Sequence, residues 1–118
     1  MKNVFGNYIR LKREKLKSID SSFSLRQVAM RIGVEPSFLS KVERGDQPPP
    51  SAEKIKCLAV ELDENPDILL AMAGKVSLDL QEIIIKRPEL VSQLLRELKD
   101  IPDQAVLRIV REVRDGQW

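Results

Sequence analysis

An all-α fold is what the sequence predicts, and three observations carry it. Apolar residues recur at helical spacing along the chain, from Phe5 and Tyr8 or Ile9 near the start to Val106, Val110 and Val113 near the end. Glycine stands where such segments stop, at Gly33, Gly45 and Gly74, and a Pro-acid pair stands where others begin, at Pro66-Asp67, Pro88-Glu89 and Pro102-Asp103. The third observation is the stretch Ser24–Gly45, SLRQVAMRIGVEPSFLSKVERG, in which two short amphipathic patterns are joined by only a few residues.

Taken in order, Phe5 to Lys17 reads as a first helix. Phe5, Tyr8 or Ile9, and Leu16 face a core, and Arg10, Lys12, Arg13, Lys15 and Lys17 form a dense basic run. Ser18 to Phe23 reads as a solvated polar connector with Ile19 or Phe23 tucked onto the core. Leu25, Val28, Ala29 and Ile32 then fall at i, i+3, i+4 and i+7 behind Ser24, a suitable N-cap. Gly33 ends this second helix with a residue free to take positive φ, and Val34 plugs the turn. Glu35, Pro36 and Ser37 open a third helix, with Leu39 and Val42 inward and Gly45 as its stop.

The outer face of that third helix carries Ser37, Ser40, Lys41 and Arg44, a polar surface with two cations and the dimensions to enter a DNA major groove. Ala29 is the small residue that lets the two helices cross closely. Such a pair cannot bury its own apolar face, so flanking helices must complete the core. Past Gly45, the run DQPPP forces an extended path. Ser51 caps a fourth helix whose inner face is Ile55, Leu58, Ala59 and Leu62, and Asn65-Pro66-Asp67 opens a fifth that runs through Ile68, Leu69 and Met72 to Gly74.

Beyond Gly74, three further helices are predicted at Ser77–Lys86, Pro88–Lys99 and Pro102 to about Arg114. Their apolar residues are numerous: Ile83 to Ile85, then Leu90, Val91, Leu94, Leu95 and Leu98, then Val106, Leu107, Ile109, Val110 and Val113. That is more apolar surface than three short helices hide by themselves, and a surplus of this kind points to association. The band on the middle helix is wider than a coiled-coil seam. Homodimerisation through this tail is the preferred reading.

Composition narrows the function. With 118 residues the chain is long enough to bury a core without staples. Cys57 is the lone cysteine and there is no histidine, so neither an internal disulfide, a Cys/His dyad nor a zinc site of the usual ligand sets can be built. Between Ile55 and Leu58, Cys57 reads as a buried structural thiol. The sequence shows no signal peptide, membrane-spanning run or lipidation motif, so a cytoplasmic protein is expected. The net charge of +2 hides an asymmetry: residues 1–62 hold 12 Lys and Arg against 7 Asp and Glu, a balance of +5, and residues 63–118 hold 8 against 11, a balance of −3. The basic half contains the helix pair, a bias that favours phosphate at one end.

The small Ala29, Gly33 four positions on, apolar Val28, Ile32, Val34, Leu39 and Val42, the SKVERG ending and Pro50-Ser51 together resemble the Xre family of phage-repressor-like helix-turn-helix regulators. The resemblance covers roughly Phe5 to Leu70. It implies a five-helix repressor-like helix-turn-helix domain over residues 1–74, and the C-terminal helical extension over 75–118 lies beyond what the family core explains. It further implies that Arg13 of the first helix pairs with Glu43, a structural tie between the first helix and the third. The connector at Ser18–Phe23 is several residues longer than is usual in the family.

By position in the family, Pro36, Ser37, Ser40 and Lys41 face the bases, with Arg44 on the same helix. Lys41 is suited to donate to guanine O6 and N7, and Pro36 offers only apolar contact. Many members carry a phosphate-clamping Gln where this chain has Leu25, so Arg26 or Gln27 in the same turn is expected to take over that contact. Glu35 stands where Ser or Thr is usual, and of its two roles, accepting from a cytosine amino group or holding the helix start, the second is the one expected.

The function implied is a dimeric transcriptional regulator, a repressor, acting on a two-fold symmetric operator in double-stranded DNA. The alternative is an antitoxin or adaptor whose helical tail binds a partner protein, with autoregulatory DNA binding. No enzyme is expected, since no His and no Gly-rich phosphate loop are present. No cofactor, metal or membrane contact is expected either.

Overall fold

The structure is a computed structural model that describes residues 3–118, and every regular element among them is helical. The chain divides into two compact units, Met1–Leu78 and Asp79–Trp118. In the first, α1 (Val4–Lys17) is followed by a short 3-10 turn (Ser21–Phe23), α2 (Leu25–Ile32), α3 (Pro36–Arg44), α4 (Ala52–Glu61) and α5 (Pro66–Met72). The second holds α7 (Pro88–Leu98), α8 (Asp103–Asp115) and, from Asp79 onward, α6 (Leu78–Lys86).

The first unit is built around one core. Phe5 and Ile9 from α1, Val28, Ala29 and Ile32 from α2, Leu39 and Val42 from α3, Ile55, Leu58 and Ala59 from α4, Leu62 just beyond it, and Leu69 and Leu70 from α5 are all buried together. Each fully buried aliphatic side chain contributes on the order of 1.5–3 kcal/mol. Of the two candidates on α1, Ile9 is the buried one and Tyr8 lies half-buried, its hydroxyl donating to Glu64 Oε2. That carboxylate, followed by desolvation, raises the Tyr8 pKa above its ordinary value by stabilising the protonated phenol.

Two details depart from the sequence reading. Cys57 is exposed rather than buried. Ile55, Leu58, Ala59 and Leu62 define one stripe of α4, and a residue two positions after Ile55 is rotated about 200° from it, onto the opposite side. The polar connector is partly ordered: Asp20 Oδ1 accepts from Ser22 N at 2.9 Å and starts the 3-10 turn. That backbone hydrogen bond lowers the Asp20 pKa. Within the connector, Phe23 packs against the core and Ile19 is left in solvent.

The start of α1 meets the end of α3 at very close range. Asn3 Nδ2 donates to Glu43 O at 3.0 Å, and a Cβ added at Gly6 would collide with Val42 O, Glu43 O and Asn3 Oδ1. Gly6→Ala is therefore expected to lower the unfolding free energy by about 1–3 kcal/mol, although alanine is the better helix former by about 1 kcal/mol. Urea denaturation of the full chain measures this. A midpoint at or above that of the wild type would mean that the crossing can open without cost.

In the second unit, no residue of α6, α7 or α8 is buried among the described residues. Leu90, Leu94, Leu95, Leu107, Val110 and Val113 all stand exposed. Trp118 is 90 % exposed, with its indole Nε1 donating to Val113 O at 3.2 Å.

Candidate nucleic-acid interface

The geometry of the interface follows from two caps and a tight turn. Ser24 Oγ accepts from Gln27 N at 3.2 Å and starts α2 as the sequence reading requires. Gly33 at φ 77° and Gly45 at φ 82° end α2 and α3 in left-handed conformations that a Cβ disfavours. Lys54 Nζ donates to Ile32 O at 3.0 Å, so a cation from α4 covers a carbonyl at the negative end of α2. With α1 and α2 behind it, α3 buries Leu39, Val42 and Glu43 and turns its other face outward.

The tie between α1 and α3 is a buried bidentate ion pair. Arg13 Nε donates to Glu43 Oε2 at 2.7 Å and Nη2 to Oε1 at 2.9 Å, with both side chains less than a tenth exposed. The remaining arm, Nη1, donates to Phe23 O at 3.3 Å, and the ordered connector is fastened by the same guanidinium. Hydrogen bonding to Glu43 raises the Arg13 pKa further above its already high value, against the opposing effect of burial. Arg31 fastens the connector from the other side: its guanidinium lies 5.2 Å from the Phe23 ring centre, donates to Ser22 O at 2.7 Å and pairs with Glu61 at 2.6 Å.

The residues predicted to meet DNA lie in the first turn of α2, at Arg26 and Gln27, and along the whole of α3, from Pro36 to Arg44. Ser37 and Lys41, one turn apart on α3, are exposed, and Lys41 makes no ion pair among the described residues. Pro36, at the first turn, is half-buried and borders a shallow groove together with Arg26, Met30, Gly33, Val34 and Glu35. Arg26 and Pro36 are thus neighbours across the turn. Gln27 is exposed, but its Oε1 accepts from Ser24 Oγ at 2.9 Å, which places it in the local capping arrangement of α2. Arg26 is exposed without such a tie among the described residues.

Two features of α3 were not legible in the spacing. Glu35 stands at the N-cap but makes no side-chain cap hydrogen bond, so its expected part in holding the helix start is not what the structure shows. A Glu side chain is longer than the Ser, Thr, Asp and Asn side chains that cap well. The second feature is Asp46, which the sequence reading passed over. Arg44 Nε donates to Asp46 Oδ2 at 3.1 Å and Arg44 Nη1 donates to Ser40 Oγ at 2.8 Å, so Ser40 and Arg44 are joined to each other and to an acid just beyond the helix. An acid two residues after the last cation of α3 was the available signal.

Among the described residues, no group of His, Cys, Asp and Glu side chains is placed to hold a metal ion, and no helix is long and apolar enough to cross a membrane.

Comparison with known proteins places this geometry in a family. The helix-turn-helix family profile matches residues 9–69, which is just over half of the chain and runs from α1 to α5. The chain is similar to the HTH-type transcriptional regulator SlrR of Bacillus subtilis (strain 168), with 37 % identity over 78 residues. That alignment takes in 63 % of this chain and 48 % of the regulator, so the chain spans about half of that relative's length. No solved structure matches. With the paired helices, the Arg13–Glu43 tie and the matched segment agreeing, the chain belongs to the helix-turn-helix family of DNA-binding transcriptional regulators, of the Xre, phage-repressor-like kind.

Proposed function

We propose that this protein is a sequence-specific DNA-binding repressor that acts as a dimer on a palindromic operator. The observation that carries the reading is the two-sidedness of α3: Leu39, Val42 and Glu43 are locked inside, while Ser37 and Lys41 stand free on a rigid, exposed face. In this reading α3 lies in the major groove and α2 crosses the backbone above it. Ser37, Ser40 and Lys41 meet base edges, Pro36 makes apolar contact, and Arg26, Gln27 and Arg44 meet phosphates. The five helices of residues 1–74 form the DNA-binding domain, and residues 75–118 form the dimerisation region. The exposed apolar residues of α7 and α8 support the second assignment.

Selection of bound duplexes from a random DNA pool at near-physiological salt tests the whole reading. An enriched inverted repeat, with half-sites about 10 bp apart or a multiple of that, is the expected result. Weak, steeply salt-dependent binding without a motif would favour the second reading, an antitoxin or adaptor whose helical tail takes a protein partner. On the selected duplex, Lys41→Ala is expected to cost about 1–3 kcal/mol of specific binding and to relax one operator position. A base-substitution series measures it, and an unchanged preference at every position would remove Lys41 from the reading set.

A further inference from the structure

The two cations of α3 differ in state. Lys41 is free of ion pairs among the described residues, whereas Arg44 is held between Ser40 Oγ at 2.8 Å and Asp46 Oδ2 at 3.1 Å. The backbone that carries Asp46 is fixed. Gly45 turns left-handed, and the amides of Asp46 and Gln47 both donate to Lys41 O, at 2.8 and 3.3 Å. Pro48, Pro49 and Pro50 then restrict the chain that follows. The carboxylate therefore stays beside the last turn of α3, where only side-chain rotation can part it from Arg44.

Helix stability does not explain an acid at that position. The C-terminus of a helix carries partial negative charge, so a carboxylate there is unfavourable and a cation favourable. What the acid does is neutralise Arg44. With side chains more than half exposed, 56 % for Arg44 and 61 % for Asp46, the pair is weak and exchangeable. A phosphate approaching Arg44 must displace a carboxylate that the backbone keeps in place.

We propose that Asp46 is an internal competitor for Arg44, an autoinhibitory contact that lowers the affinity of the recognition helix for the DNA backbone. This rests on the reading of α3 as the DNA-facing helix. Binding is then an exchange in which Arg44 leaves Asp46 for a phosphate oxygen and the released carboxylate is left to water or a counterion. Asp46→Asn removes the competing charge and leaves the buried core and the turn at Gly45 untouched.

Fluorescence anisotropy with the full chain and a labelled random-sequence duplex, repeated over a series of NaCl concentrations, tests the proposal. Asp46→Asn is expected to bind about two- to fivefold more tightly at low salt, a gain that corresponds to a surface ion pair. The plot of log affinity against log salt is expected to steepen by up to about one unit. In an Arg44→Gln background, the same substitution is expected to have a markedly smaller effect. Unchanged or weaker binding by Asp46→Asn overturns the proposal, and so does an equal gain with Arg44 absent, which would mean that only net charge matters. Wild-type protein that binds no duplex at any salt overturns the DNA-facing reading of α3 and this proposal with it.

Discussion

Glu43→Ala is expected to cost about 3–5 kcal/mol of unfolding free energy, because it leaves the Arg13 guanidinium buried with no counter-charge. For a domain whose whole stability is on the order of 5–15 kcal/mol, that loss is a large fraction of the total. The pair is bidentate, both side chains are buried, and the third arm of Arg13 holds the connector through Phe23 O, so removing one partner disturbs α1, α3 and the 3-10 turn together. Thermal and urea denaturation of the full chain measure the effect. Replacing both partners, as Arg13→Met with Glu43→Leu, is expected to recover much of the loss, since an apolar pair needs no compensation inside a core. Neither residue faces the proposed base-contacting surface, so under folding conditions the base preference of any Glu43 variant is expected to match the wild type. A Glu43→Ala protein within 1 kcal/mol of the wild type would show that Arg13 reaches water easily, and the pair would not be the tie described above.

Leu94→Glu is expected to abolish dimerisation and to lower affinity for a two-fold symmetric operator by about 10²- to 10⁴-fold, the range over which linking two binding sites raises apparent affinity. Leu94 is 48 % exposed on α7, beside the exposed Leu90 and Leu95, so a carboxylate there meets water in a monomer and an apolar face in a dimer. Because Leu94 is not a core residue, the helix content of the variant is expected to match the wild type, and circular dichroism checks it. Light scattering on the eluting species gives the mass, and binding to single and paired half-sites gives the affinity ratio. Persistence of a dimer, or of full operator affinity in a monomer, would remove the α7 band from the interface.

The matched segment, from Ile9 to Leu69, is also where the sequence was most legible. The ends of α2 and α3 could be read directly, because Ser24, Gly33, Pro36 and Gly45 act through local backbone chemistry that needs no neighbour. The Arg13–Glu43 pair came from the family resemblance, since no spacing rule joins positions thirty residues apart. The connector was less legible. That Phe23 rather than Ile19 packs inward follows from two helices: Arg13 of α1 donates to Phe23 O, and Arg31 of α2 donates to Ser22 O and lies over the Phe23 ring.

Sequence by itself determined that the chain is helical, where α2 and α3 begin and end, and which stripe of each helix turns inward, because capping, glycine conformation and the 3.6-residue period are properties of neighbouring residues. Only the tertiary structure decided what each polar side chain on those helices is doing. Glu35 caps nothing, Gln27 turns back to Ser24, Arg44 is engaged with both Ser40 and Asp46, and Lys41 is free of ion pairs among the described residues. The physical reason is that a charged or hydroxyl side chain is committed by whichever partner its tip can reach. For long, exposed side chains several partners compete at nearly equal free energy, and three-dimensional placement settles which one wins.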